Sequence, residues 1–455
     1  MQLAIGVIVS RRVKTEDDYL VAGRSLGPLL VGFTVFATWF GAESLVGAAG
    51  AVYTRGVAGG SADPFGYGIC ILLTGLVFAV PLWRLRLTTI GDLYRLRFGP
   101  AVERLAVILY VPGSVLWAAA QVRAFGQVLA SASGMEVETT ITIAAAVVVA
   151  YTVFGGLLAD AWTDLLQGIA LIIGLAVLFV TVVQTEGLAP LSSLPAGTLN
   201  LLGPEPRPFL AIVEEWTIPI AGGVLTAELV ARILAARSPA VARNATIAAG
   251  VAYTLIGVLP VVLGLLGATL VPGLEHPEQI LAVLAERYLT GFVFVLFAGA
   301  LVSAILSTVD SALLVAAGLV SHNLIVPLVP DLGERARVAL ARAGVVVFGI
   351  VAYVTALRAD AVYDLIEEAA AFGSAGLIVV AVLGLFTRYG GAGSAIASLL
   401  AGVASWVLGA YVLALPYPYL TSLAVALAAY VAGALGGSRG ARSVRTPERA
   451  TARPG

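Results

Sequence analysis

Charge is scarce in these 455 residues. Only 12% are Asp, Glu, Lys or Arg against 60% hydrophobic, and the mean hydropathy is +0.99. A soluble domain of this size needs far more polar surface to cover its core, so a water-soluble globule is excluded. With a single cysteine, Cys70, an intramolecular disulfide is impossible. The two histidines, His276 and His322, stand far apart with no cysteine beside them, which argues against a zinc site and leaves them as loop or helix-end residues. A net charge of −1 gives no reason to expect nucleic acid as a partner. There is no nucleophile elbow, phosphate loop or His/Cys/Asp cluster, so nothing marks the chain as an enzyme or calls for an organic cofactor.

What the chain has in quantity is long apolar blocks, such as residues 141–152, 165–183 and 293–306. About 20 helical residues cross the hydrocarbon of a bilayer, and an open sheet there would leave backbone groups unpaired. The blocks therefore predict an all-α polytopic membrane protein, with the lipid bilayer as its surroundings. Twelve spans are predicted, at 28–53, 65–83, 101–131, 137–154, 158–183, 210–235, 241–270, 290–322, 335–357, 364–387, 394–414 and 417–435. Residues 1–10 are apolar but too short to span, and Arg11, Arg12 and Lys14 follow them, the reverse of a signal peptide. They read as a stub, the inner half of a first helix. The organisation expected is a partial helix and loop (1–27), a five-helix set (28–183), a second five-helix set (210–387), two peripheral helices (394–435) and a Gly/Ser/Arg/Pro-rich disordered tail (436–455). The long connections are 184–208 and 271–290, the second holding a short amphipathic helix at 277–288.

Orientation follows from the basic residues. If the loop bearing Arg11, Arg12, Lys14 and Arg24 is cytoplasmic, alternating spans leave only Arg55, Arg123, Arg207, Arg287 and Arg358, of 26 basic residues, on the other half. Arg95, Arg232 and Arg237 then fall in cytoplasmic loops and the carboxyl end lies inside.

Two spans read as broken. Span 28–53 carries Gly32, Gly41, Gly47 and Gly50 and places Glu43 at mid-depth; span 210–235 carries Pro219, then Gly222 and Gly223, with Glu228 beyond. Each opens a five-helix set. Interrupted helices at matching places in two halves point to a transporter's midplane site, where freed carbonyls can coordinate a cation. An odd helix count per half would invert one half relative to the other. Ionisable residues within spans are costly and mark function or pairing. Here they are Glu43, Arg123, Asp164, Glu228, Asp310, Glu367 and Glu368, with Arg123 the nearest cation for Glu43 or Glu228. Ala304, Ser307, Thr308 and Ser311 share one helical face at i, i+3, i+4 and i+7. Such a face offers neutral oxygens to a hard monovalent cation, or else packs closely with its hydroxyls bonded back to i−4 carbonyls.

These residues resemble the sodium:solute symporter family, which has the leucine-transporter fold, an inverted five-plus-five helix repeat. The resemblance runs from the segment Asp17 to Leu26 to about Phe386. Its most specific piece is Tyr151-Thr152, Gly155-Gly156, Trp162-Thr163-Asp164 and Gln167, joined by Arg232 to Ser238 and Ala304 to Thr308. The resemblance implies sodium ligands at the carbonyls of Ala37 and Phe40, aligned through Gly50 to Tyr53, at the carbonyl of Ala304, and at the hydroxyls of Ser307 and Thr308. It links Asp164 to sodium exit. Ala37-Thr38-Trp39, Gly66-Tyr67-Gly68 and Trp117 to Ala120 resemble the aromatic positions of the high-affinity choline transporters. Where those carry Trp-Gln, this chain has Thr226-Ala227 and then Glu228.

The expectation is a sodium-coupled symporter in the cell membrane, importing a small organic solute by alternating access. The implied solute is an amine or other cationic or zwitterionic molecule, bound by Trp39, Glu43, Ser44, Tyr67, Trp117, Thr226 and Glu228. An amino acid or sugar, or a transporter-like sensor module, are the alternatives.

Overall fold

Backbone groups in hydrocarbon must pair within the chain, and the computed structural model meets that demand with helices throughout. It describes Val9 and residues 13–203, 205–359 and 362–436. The predicted stub, apart from Val9, and the predicted disordered tail beyond Gly436 lie outside the described residues. Among the described residues no strand forms; the sole pairing of that kind is an isolated bridge between Leu26 and Ala236.

The first short helix, α1 (Glu16–Val21), opens on a capping box: Asp18 N–H donates to Thr15 Oγ1 and the Asp18 carboxylate accepts from Thr15 N–H. After it come α2 (Pro28–Trp39), with proline in its first turn, and α3 (Ala48–Arg55). Next are α4 (Tyr67–Leu73), α5 (Ala79–Arg84), α6 (Gly91–Phe98) and the long α7 (Pro100–Ser133). Where the sequence predicts separate spans at 137–154 and 158–183, one helical run, α8 (Val137–Glu186), turns at Gly156. Gly156 has φ 60°, and a Cβ there would sit 2.7 Å from the ring of Tyr19, so glycine serves both the turn and the close approach of α1.

The second half runs through α9 (Phe209–Gly223), α10 (Ala227–Leu234), α11 (Pro239–Leu270), α12 (Ile280–Tyr288) and α13 (Gly291–Gly318). It continues through α14 (Glu334–Arg358), α15 (Val362–Ala371), α16 (Ser374–Phe386), α17 (Ala392–Val407) and α18 (Pro418–Gly436). Among the described residues nine helical segments are long and apolar enough to cross a membrane, ten if the bent pair α9–α10 is one span. The difference from the predicted twelve lies at the breaks: α2 and residues 137–150 are cut short, and helical turns join 43–84 into a single run. Large apolar side chains such as Leu255, Phe292 and Val295 stand well over half exposed on the perimeter, as a lipid-facing surface requires.

Helix α7 packs against α8, α13, α14 and α15, and α2 against α8, α11 and α13, so α2 and α7 lie inside the bundle. One end is clasped by few bonds. Leu26 N–H donates to Ala235 O at 3.1 Å and Arg237 N–H to Leu26 O at 2.9 Å. Arg24 donates to the carbonyls of Leu234, Arg86 and Leu87, and Trp83 Nε1–H to Ala236 O at 2.6 Å. These bonds tie together the chain entering α2, the segment 83–87 and the chain leaving α10.

Candidate solute and cation site

The ladder of α2 stops at Trp39. Phe40 leaves it with φ −90° and ψ 62°, and Gly41 follows before helical turns resume. A Cβ on Gly41 would lie 2.5 Å from Thr308 Oγ1 and 2.8 Å from Gln121 Oε1, so only glycine lets α13 and α7 approach the break. Gln121 spans the gap. Its Oε1 accepts from Ala42 N–H at 2.8 Å and its Nε2 donates to Glu43 at 2.6 Å. The second break, at 224–226, falls just after the predicted Gly222 and Gly223, and the bend is 41°. Its carbonyls are already engaged: Thr74 donates to Val224 O at 2.8 Å and Tyr110 to Leu225 O at 3.0 Å. The two breaks thus differ, one with carbonyls beside the hydroxyls of α13 and one with carbonyls bonded within the bundle.

On the α13 side of the first break Thr308 Oγ1 donates to Ala37 O at 3.3 Å and lies 3.5 Å from Ala304 O. Ser307 donates to Asp164, whose other oxygen accepts from Thr34. All of Ala37, Ala304, Ser307, Thr308 and Asp164 are buried. The back-bonding read from spacing is present, Ser311 to Ser307 O at 3.0 Å, while Ser307 and Thr308 reach across to Asp164 and Ala37 O. Phe40, the remaining residue of the implied cation set, is fully buried at the break itself.

On the other side, Trp39, Tyr67 and Trp117 gather. Ring centroids are 4.9 Å apart for Trp39–Tyr67 and 5.4 Å for Trp39–Trp117, both tilted. They line a cavity together with Glu43, Ser114, Thr226 and Glu228 and residues of α15 and α16. Glu43 accepts from Trp117 Nε1–H at 3.1 Å, and Glu228 accepts from Ser114. Trp39 Nε1 and Thr226 Oγ1 are buried with no hydrogen-bond partner. Six of the seven implied solute-binding residues thus line one space. Ser44 does not; it donates to Asp63 and lies 3.0 Å from the hydroxyl of Tyr253.

A model of the sodium:solute symporter family matches residues 19–402. The chain belongs to the sodium:solute symporter family. It is 27% identical over 383 residues to the high-affinity choline transporter 1 of Drosophila melanogaster, a match over 80% of this chain but only 61% of that protein. It is 26% identical over 440 residues to the high-affinity proline transporter of Bacillus subtilis, covering 90% of this chain and 89% of that one. Among solved structures, its fold is shared with a Na+-coupled sialic acid symporter in a substrate-bound, outward-open state. That match has a TM-score of 0.79 and 17% identity over 95% of this chain and 94% of the other. These relatives are transporters rather than enzymes.

Several contacts depart from the sequence reading. Arg232, placed by charge counting in a cytoplasmic loop, is fully buried on α10 and pairs with Asp160 and Ser311. The guanidinium of Arg123 donates to Ala356 O at 3.1 Å. Asp310 accepts from Thr152, and Glu368 from Tyr411 at 2.7 Å, away from the cavity. Gln121, Asp160 and Arg232 were missed as site residues. The signal available was the quoted motifs themselves: Asp160 is one helical turn before Asp164, and Arg232 heads the run to Ser238.

Proposed function

We propose that this chain is a sodium-coupled symporter of the cell membrane that imports a small organic amine by alternating access. Twelve spans in two inverted five-helix sets plus two peripheral helices, with a cytoplasmic carboxyl end, accommodate the helices described. Sodium is the coupling ion. Its ligands are the carbonyls of Ala37, Phe40 and Ala304 and the hydroxyls of Ser307 and Thr308, with Asp164 on the exit path. Neutral carbonyl and hydroxyl oxygens suit a hard monovalent cation, and the nearby Asp164 favours positive charge. The relatives named for choline and proline carriage are consistent with this class without fixing the solute.

The observation that carries the solute class is the cavity where Trp39, Tyr67 and Trp117 stand beside Glu43. Aromatic faces attract an ammonium group by about 0.5–2 kcal/mol each, more when dry, and a carboxylate supplies counter-charge. The test is uptake into proteoliposomes. Sodium should drive it, amines should compete where sugars and amino acids do not, and Trp39→Leu should lose amine competition more than Trp39→Phe. Ser307→Ala and Thr308→Ala should each weaken sodium activation by roughly 5- to 150-fold, the equivalent of about 1–3 kcal/mol for one lost ligand. Sodium-independent uptake would refute the coupling, and competition by sugars or amino acids alone would refute the amine.

A further inference from the structure

The geometry points to a solute with two cationic groups, of the class of a short linear α,ω-diamine, held between Glu43 and Glu228. This inference rests on the amine reading above and specifies it further.

The cavity carries two carboxylates and, among the described residues, no basic side chain lines it. Both are deeply buried, Glu43 4% and Glu228 3% exposed, and among the described residues neither forms an ion pair. The nearest guanidinium, Arg232, is engaged elsewhere. It contacts Glu228 only at its main-chain oxygen, at 3.4 Å, and its charge is paired with Asp160. Two buried carboxylates without a cation are costly, and the cost is relieved when a solute brings the missing charge.

The two acids are also held at a fixed spacing. Glu43 is fixed by Trp117 and Glu228 by Ser114, three residues apart on the same face of α7. Each carboxylate so held retains lone pairs for a further donor. The two groups that hold them, Ser114 and Trp117, stand about one helical turn apart along α7. A monoamine or a quaternary ammonium satisfies one end only, and a quaternary group can donate no hydrogen bond to either. A diamine whose nitrogens are separated by a few methylenes donates to both while its chain lies on Trp39 and Trp117.

The experiment is competition for sodium-driven uptake, with binding followed in parallel by thermal shift. The probes are 1,3-diaminopropane to 1,6-diaminohexane, n-butylamine and tetramethylammonium. One member of the diamine series should compete at concentrations roughly 10-fold or more below n-butylamine, the scale of one additional charge-assisted contact. Glu43→Gln and Glu228→Gln, close in shape to the parent, should each abolish that preference. Size-exclusion profiles and the sodium-induced thermal shift report whether each variant is folded; if one is not, the preference in the wild type and in the other variant decides. If n-butylamine or tetramethylammonium competes as well as every diamine, the two-carboxylate inference is overturned and the amine reading stands. If no amine competes, both fail.

Discussion

Removing the guanidinium of Arg232 tests the electrostatic logic of the whole core. Arg232 is fully buried and Asp160 5% exposed, so neither charge can turn to water. One oxygen of Asp160 accepts from Arg232 and from Ser311, and its other oxygen has no hydrogen-bond partner. Arg232→Met keeps the side chain's bulk but strands the Asp160 carboxylate beside a single hydroxyl. Breaking a buried pair on one side costs about 3–5 kcal/mol, whereas replacing both members with apolar groups is often neutral or stabilising. Unfolding titrations of purified protein in mixed micelles should therefore show a loss of about 3–5 kcal/mol for Arg232→Met and recovery of most of it in Arg232→Met with Asp160→Leu. The double-mutant cycle isolates the coupling. A single-variant loss under about 1 kcal/mol, or a double variant no better than the single, would refute the claim that the charges are held by each other.

Gly41→Ala should raise the sodium concentration for half-maximal activation by roughly tenfold or more, about 1.4 kcal/mol. Its Cβ would stand 2.5 Å from Thr308 Oγ1, and an unchanged sodium titration would mean the break is not part of the cation site. Cysteine introduced beside Arg95 or Arg237 should resist an impermeant thiol reagent in intact cells, while one beside Gly197 should label; the reverse pattern would invert the topology.

Much of the site was legible because local chemistry announces it. Gly41 and the Gly222–Gly223 pair fell at or next to the breaks, since a chain that must leave the helix and admit neighbours needs residues without Cβ. Helical spacing put Ser307 and Thr308 on one face, and both reach the first break or its neighbours. What escaped was set by tertiary direction. Counting Arg232, near the end of its span, with the cytoplasmic charges makes it a loop residue, but the helix after the bend at Gly223 carries the arginine to Asp160. Gln121 is one of two glutamines on α7, and the break it bridges explains it. Ser44 sits one residue from Glu43, yet successive helical residues diverge by about 100°. Ser44 accordingly meets Asp63 and Tyr253 rather than the cavity.

The clasp at the end of the bundle has an energetic consequence. The bonds joining Leu26 to Ala235 and Arg237, and Arg24 to Leu234, connect the chain entering the first broken helix to the end of the second, and Trp83 on α5 adds a bond to Ala236. In a carrier whose halves rock apart at that end, these four links must part together. At about 0.5–1.5 kcal/mol net for each, they resist by about 2–6 kcal/mol. Reversing a 1:99 population to 99:1 takes about 5.5 kcal/mol of preferential binding. A resistance of that size would be of the same order as the preferential binding such a reversal requires, so in a carrier that opens at this end these hydrogen bonds would help keep the empty protein closed.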